Sequence, residues 1–208
     1  MVESAQLFEV SPVIPVVTIE DPADAVPLAQ ALLDGGIRII ELTLRTDSAL
    51  ESLRRISTEV PDILIGAGTI LSPSQADAAI AAGAQFLVSP GTTPALLDHL
   101  LAQSVPVLPG VATVSEILTV LERGITTLKF FPAAQAGGQA YLKSVGAPIP
   151  QARFCPTGGI TLATAPDFLA LPNVACIGGS WLTPMDAVQE KNWQYITDLS
   201  REAMTLGR

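Results

Sequence analysis

The sequence predicts an α/β fold, a single-domain (β/α)8 TIM barrel with a short extra helix at its N-terminal end. Three observations carry this expectation. Eight short β-branched or apolar runs alternate with eight Ala/Leu-rich stretches of helical spacing. The runs are mostly β-branched or apolar, as parallel strands buried under helices are. No linker composition interrupts the series, so one domain over 1–208 is expected, at the lower limit of length for such a barrel. The same alternation also allows a doubly wound open sheet, the alternative architecture.

Taken in order, ESAQLFEV (3–10) supplies the extra helix and VIPVV (13–17) the first strand, rich in the β-branched residues that suit a pleated surface. The stretch 22–34 has helical spacing, but Pro27 inside it argues for a late start. IRIIEL (37–42) leads to a helix over 47–59 with Asp47 as N-cap. DILIGA (62–67) leads to a helix over 73–82 capped by Ser72. QFLVS (85–89) and VPVLP (105–109) are strands followed by helices over 93–103 and 113–123. TTLKFF (126–131) precedes a helix near 138–145, and ARFCP (152–156) one over 162–170, entered at Thr161. NVACIG (173–178) and a long helix over 186–205 complete the series.

Composition narrows the function classes. Hydrophobic residues make up 49% and charged residues 15%, ample for a large core. No apolar run approaches the roughly 18 residues of a membrane span. A formal charge of −9 leaves no basic stripe for nucleic acid, and an anionic ligand needs a local positive site against the mean field. MVESAQLFEV lacks the basic and apolar blocks of a secretory signal, so the cytoplasm is the expected location. Cys155 and Cys176 stand in apolar runs and read as buried free thiols. The lone histidine, His99, excludes a multi-histidine metal site and is expected on the solvent face of its helix.

TTLKFF places Lys129 in an apolar strand, where an ammonium is costly to desolvate. A weak internal repeat bears on it. GGIRIIE (35–41), AGAQFLV (82–88) and RGITTLK (123–129) each run from a helix end through glycine into a strand. Five residues beyond Gly36, Gly83 and Gly124 stand Glu41, Val88 and Lys129, on the second, fourth and sixth strands. Alternate strands of a barrel share interior layers, so Glu41 and Lys129 are expected inward, facing one another across the mouth. Parity adds Thr43 and Arg45 to the face of Glu41, and Thr127 and Phe131 to that of Lys129. An amine attacks a carbonyl only when neutral, and dry surroundings beside Phe131 with Arg45 nearby disfavour the charged form. Lys129 thus fits a Schiff-base nucleophile, and equally a structural ion pair with Glu41.

Thr69, in GAGTI (66–70), offers a hydroxyl to a carboxylate or simply makes a turn. CPTGGI (155–160) and CIGGSW (176–181) end the seventh and eighth strands with paired glycines. Their N–H groups suit a phosphate, which barrels often hold after these two strands, or else tight turns into the helices.

ELTLRT, GAGTI, SPG, TLKFFPA, RFCPTGGI and CIGGSWL follow in one order over about residues 10 to 205. Together they closely resemble the bacterial 2-dehydro-3-deoxy-6-phosphogluconate aldolases, also called 4-hydroxy-2-oxoglutarate aldolases. The resemblance implies a class I lyase with no cofactor and no metal, forming homotrimers. It implies cleavage of a small anionic phosphorylated keto acid to pyruvate and glyceraldehyde 3-phosphate, and of 4-hydroxy-2-oxoglutarate to pyruvate and glyoxylate. By the same resemblance Lys129 is the Schiff-base lysine and Glu41 the general acid/base acting through a water. Arg45 and Thr69 hold the carboxylate, and Pro90 and Phe131 line the pocket. Thr157, Gly158, Gly159, Gly179 and Ser180 receive the distal phosphate. One departure stands out: AQAGG (134–138) replaces the Glu-Ala-Asn-Gly-Gly-like stretch expected of the family. The alternatives are a relative preferring the galactonate-derived epimer, and a phosphosugar-binding barrel without aldolase chemistry.

Overall fold

The computed structural model describes residues 4–206. Its strands are β1 (Val13–Val17), β2 (Ile39–Thr43), β3 (Leu64–Gly68), β4 (Phe86–Val88), β5 (Val107–Leu108), β6 (Gly110–Val111), β7 (Thr127–Phe130), β8 (Arg153–Pro156) and β9 (Ile177–Gly179). All the ladders are parallel, in the orders β5-β4-β3-β2-β1-β9 and β6-β7-β8. β5 and β6 are one stave broken at Pro109, which has no N–H for a ladder. The carbonyl of Pro109 still accepts from the Lys129 N–H at 2.9 Å, which keeps β7 in register. Bridges from Phe154 to Val174 and from Thr157 to Gly178 close the remaining gap. The sheet therefore curls into a ring of eight staves, the barrel and not the open sheet.

The helices are α1 (Ala25–Asp34), α2 (Ala49–Glu59), α3 (Pro73–Ala81), α4 (Pro94–Leu101), α5 (Val114–Leu121), α6 (Gly138–Gly146), α7 (Ala165–Leu169), α8 (Met185–Gln189) and α9 (Trp193–Ala203). Several ends differ from the sequence expectation, each for a local reason. Pro27 lies inside α1, but in its first turn, where an N–H would have no helical acceptor anyway. Ser48, not Asp47, precedes α2, and its hydroxyl donates to the Ile19 carbonyl instead of capping. Ser72 caps α3 by accepting from the Gln75 N–H at 3.3 Å, as its sequence position suggests. Thr161 forms a hydroxyl turn with Thr164, so α7 starts three residues later. The expected last helix is two: Lys191 turns the chain at φ 54°, and Asn192 then caps α9. The extra N-terminal helix is 3-10, over Ser4–Glu9. His99 is not simply solvent-facing; its Nε2 lies 2.8 Å from Asp77 Oδ1, linking α4 to α3.

The core has two shells. The outer one packs the helices on the barrel wall. The inner one fills the lower barrel with Ile14, Ile39, Phe86, Val88, Leu108, Cys155 and Cys176, and Leu7 and Phe8 of the 3-10 helix join it as a plug. Full burial of a ring such as Phe86 stabilises by about 1.5–3 kcal/mol. Both cysteines are free and buried. Burial, and then the neighbouring Cys155, push the Cys176 thiol well above its usual range. The repeat glycines Gly36, Gly83 and Gly124 have φ of 97°, 103° and 79°. They end α1, α3 and α5 in the left-handed conformation that glycine adopts without penalty, so three strands start at matched points.

Candidate active site

Glu41 and Lys129 do more than face each other: they touch. Lys129 Nζ donates to Glu41 Oε1 at 2.8 Å and Oε2 at 3.1 Å, with side chains 5% and 3% exposed. Two features seat the pair. Gly68 leaves the room for the carboxylate, since a Cβ there would lie 2.2 Å from Glu41 Oε1. Phe131, one turn of the pleat beyond Lys129, sets its ring centroid 5.6 Å from Nζ. A buried ion pair is a weak way to hold a barrel together, because desolvation offsets most of its attraction.

Above this floor Arg45 leaves β2 and its Nε donates to Thr69 Oγ1 at 3.1 Å. Thr69 has φ 62°, costly for a β-branched residue, and such strain gathers at functional sites. On the far side Gly158 and Gly159 have φ of 102° and 73°. Gly158 turns the chain beside the Thr157–Gly178 bridge, and among the described residues the Gly159 N–H after it has no protein acceptor, which leaves an open cradle for an anion. Gly178 lets Thr157 enter, since a Cβ at 178 would lie 2.2 Å from Thr157 Oγ1.

A cavity of about 150 Å³ joins these parts, lined by Arg45, Lys129, Phe131, Thr157, Gly158, Gly159 and Ser180 from the sequence expectation. Glu41 stands beneath it through Lys129, and Thr69 beside it through Arg45. Pro90 and Gly179 are not in its lining. Pro90 closes against Gly110, the register partner of Lys129, and Gly179 lies under the Trp181 ring. Val16, Thr18, Ile160 and Gly178 also line the cavity and were missed. Strand parity would have found three of them: Val16 and Thr18 share a face of the first strand, and Gly178 shares one with Ser180. A second cavity, about 540 Å³, adjoins the first at Val16, Thr18 and Ser180. Glu20, Asp21 and Asp24 rim it, with Lys191 Nζ 3.7 Å from Asp24. An anion is therefore better received in the first cavity, between arginine and the glycine cradle.

Comparison with known proteins decides the family. The sequence matches the family described as "Aldolase: KDPG and KHG aldolase" over residues 5–199. This chain belongs to that family. A 2-dehydro-3-deoxy-phosphogluconate aldolase of Pseudoalteromonas atlantica is 47% identical over 203 residues, covering 98% of this chain and 94% of that protein. The crystal structure of the KDPG aldolase of Legionella pneumophila, with pyruvate captured at low pH as a covalent carbinolamine intermediate, superposes with TM-score 0.96. It is 46% identical, with 98% of each chain covered. The Zymomonas mobilis KDPG aldolase with 3-phosphoglycerate has TM-score 0.92 and 44% identity, covering 99% of this chain and 96% of that one. Within the KDPG and KHG aldolase frame, AQAGG sets the Ala134 methyl against Gly159, 2.6 Å from where a Cβ there would stand.

Proposed function

We propose that this protein is a class I aldolase cleaving 2-dehydro-3-deoxy-6-phosphogluconate to pyruvate and glyceraldehyde 3-phosphate through a Schiff base on Lys129, with 4-hydroxy-2-oxoglutarate as a second substrate. The observation that carries this reading is the buried Lys129–Glu41 contact at the foot of a cavity with an arginine on one side and a glycine cradle on the other. A keto acid with an anionic group at each end needs that order of groups: anion site, amine, anion site. The covalent pyruvate intermediate of the Legionella pneumophila relative supports the same chemistry.

In the first step one proton passes from Nζ to Glu41 across the 2.8 Å contact, leaving an amine lone pair and a carboxylic acid. The amine attacks the C2 carbonyl, and one N–H proton passes to the oxygen, giving a neutral carbinolamine. Glu41 returns the proton as the C2 hydroxyl leaves as water, and an iminium remains. Glu41, again a carboxylate, removes the C4 hydroxyl proton through a water. The C3–C4 bonding pair moves into the iminium and gives an enamine, while C4 departs as the aldehyde. Protonation at C3 and addition of water at C2 release pyruvate and the amine. Arg45, supported by Thr69, holds the substrate carboxylate. Phe131 shapes the apolar wall, and Pro90 supports the floor from behind, against Gly110. Thr157, Gly158, Gly159 and Ser180 form the phosphate end, and Gly179 carries the chain from β9 into Ser180 beneath the Trp181 ring.

The test is borohydride reduction in the presence of pyruvate, which is expected to leave a stable adduct on Lys129. Lys129→Ala should abolish both the adduct and turnover, whereas Glu41→Gln should lose turnover and retain part of the adduct. Turnover at the wild-type level in Lys129→Ala would end the mechanism. The same reading takes 1–208 as one barrel domain working in the cytoplasm as a homotrimer, and a monomer in sedimentation would remove the trimer from it.

A further inference from the structure

We propose that Thr18 is a specificity residue that accepts a hydrogen bond from the C5 hydroxyl of the substrate, the hydroxyl carried by the aldehyde half; this rests on the aldolase reading above. Thr18 stands just beyond the C-terminal end of β1, half-buried. It lines both cavities, as does Ser180 on the neighbouring stave. That is the wall along which the substrate chain runs from the amine toward the phosphate cradle.

The polarity of its hydroxyl is fixed from behind. Thr43 is fully buried, and its Oγ1 donates to the Val17 carbonyl at 2.9 Å. A hydroxyl has one hydrogen, so Thr43 Oγ1 must accept in its 2.9 Å contact with Thr18 Oγ1. The Thr18 hydrogen therefore points inward to Thr43, and only lone pairs remain for a ligand. Carboxylate and phosphate oxygens are acceptors and gain nothing from such a group. A substrate hydroxyl is the fitting partner.

The reaction itself separates the two candidate hydroxyls. The C4 oxygen loses its proton and leaves as a carbonyl, which cannot donate. The C5 hydroxyl remains a donor from substrate to product, so a group that only accepts stays satisfied throughout. Thr18 would then favour aldehydes with a hydroxyl next to the reacting carbon. Because Thr18 is half-exposed, water can partly replace that donor, and the preference is expected to be about tenfold.

The experiment runs the reaction in the direction of synthesis. Pyruvate is condensed with D-glyceraldehyde 3-phosphate or with 3-oxopropyl phosphate, which lacks the hydroxyl, and kcat/KM for each aldehyde is compared. The wild type should favour the hydroxylated aldehyde about tenfold, Thr18→Val should bring the ratio near one, and Thr18→Ser should restore it. An unchanged ratio in Thr18→Val, or no preference in the wild type, overturns the role of Thr18 alone. A wild type that forms neither a borohydride-trapped pyruvate adduct nor product with either aldehyde overturns the aldolase reading, and the proposal with it.

Discussion

The lower and upper halves of the barrel interior are built on the same strands, two residues apart, yet they differ in kind. On β2 Ile39 points into the plugged half and Glu41 into the reactive one; from β8 into its loop the step is Cys155 to Thr157, and into β9 it is Cys176 to Gly178. Below, Phe86, Leu108 and the 3-10 helix residues Leu7 and Phe8 exclude water by filling space. Above, the same ring of strands carries an ion pair, a strained threonine and glycines that withhold side chains. The lower half lowers the free energy of the fold, and that stability lets the upper half hold groups that raise it.

Breaking the ion pair tests this division most severely. Lys129→Met leaves the Glu41 carboxylate buried without its partner and is expected to destabilise the protein by about 3–5 kcal/mol. Glu41→Leu combined with Lys129→Met should match the wild type or exceed it by about 1–4 kcal/mol, because an apolar pair extends the lower half upward. Both variants should be inactive. Urea denaturation measures the difference, and a double variant as unstable as the single one would mean that the pair is structural.

The chain itself disclosed much of this arrangement, and what it hid has a physical pattern. The order of strands and helices was legible because the apolar runs are short and punctuated by glycine. Glu41 and Lys129 were placed inward by their equal distance from Gly36 and Gly124, and the positive φ at those glycines explains why the count works. Their direct contact was legible only as one of two even readings, because the room for it depends on the missing side chain of Gly68, on a third strand. Thr18 escaped because the first strand carries no charge to attract notice, although its parity was available. The helix entries expected at Thr161 and Asp47 went astray: the Thr161 hydroxyl found a turn partner, and Ser48, which stands at the second end instead, gives its hydroxyl to a distant carbonyl. Fold and site residues follow from local pattern; contacts across the ring follow from packing.

Two glycines on β3 give the finest test of the boundary between the halves, because one methyl group is added on either side of it. A Cβ at Gly68 would stand 2.2 Å from Glu41 Oε1, and one at Gly66 2.3 Å from the Phe86 ring. Gly68→Ala must push the carboxylate off Lys129, and a displacement of about 1 Å at a reacting group lowers turnover roughly 100-fold. Gly66→Ala instead overpacks the plug and should cost about 1–3 kcal/mol in urea stability, with kcat per folded molecule kept. Comparable losses of kcat in the two variants would show that the halves are mechanically one unit. A loss confined to Gly68→Ala would show that the plug isolates the reactive floor from strain only one strand pleat below it.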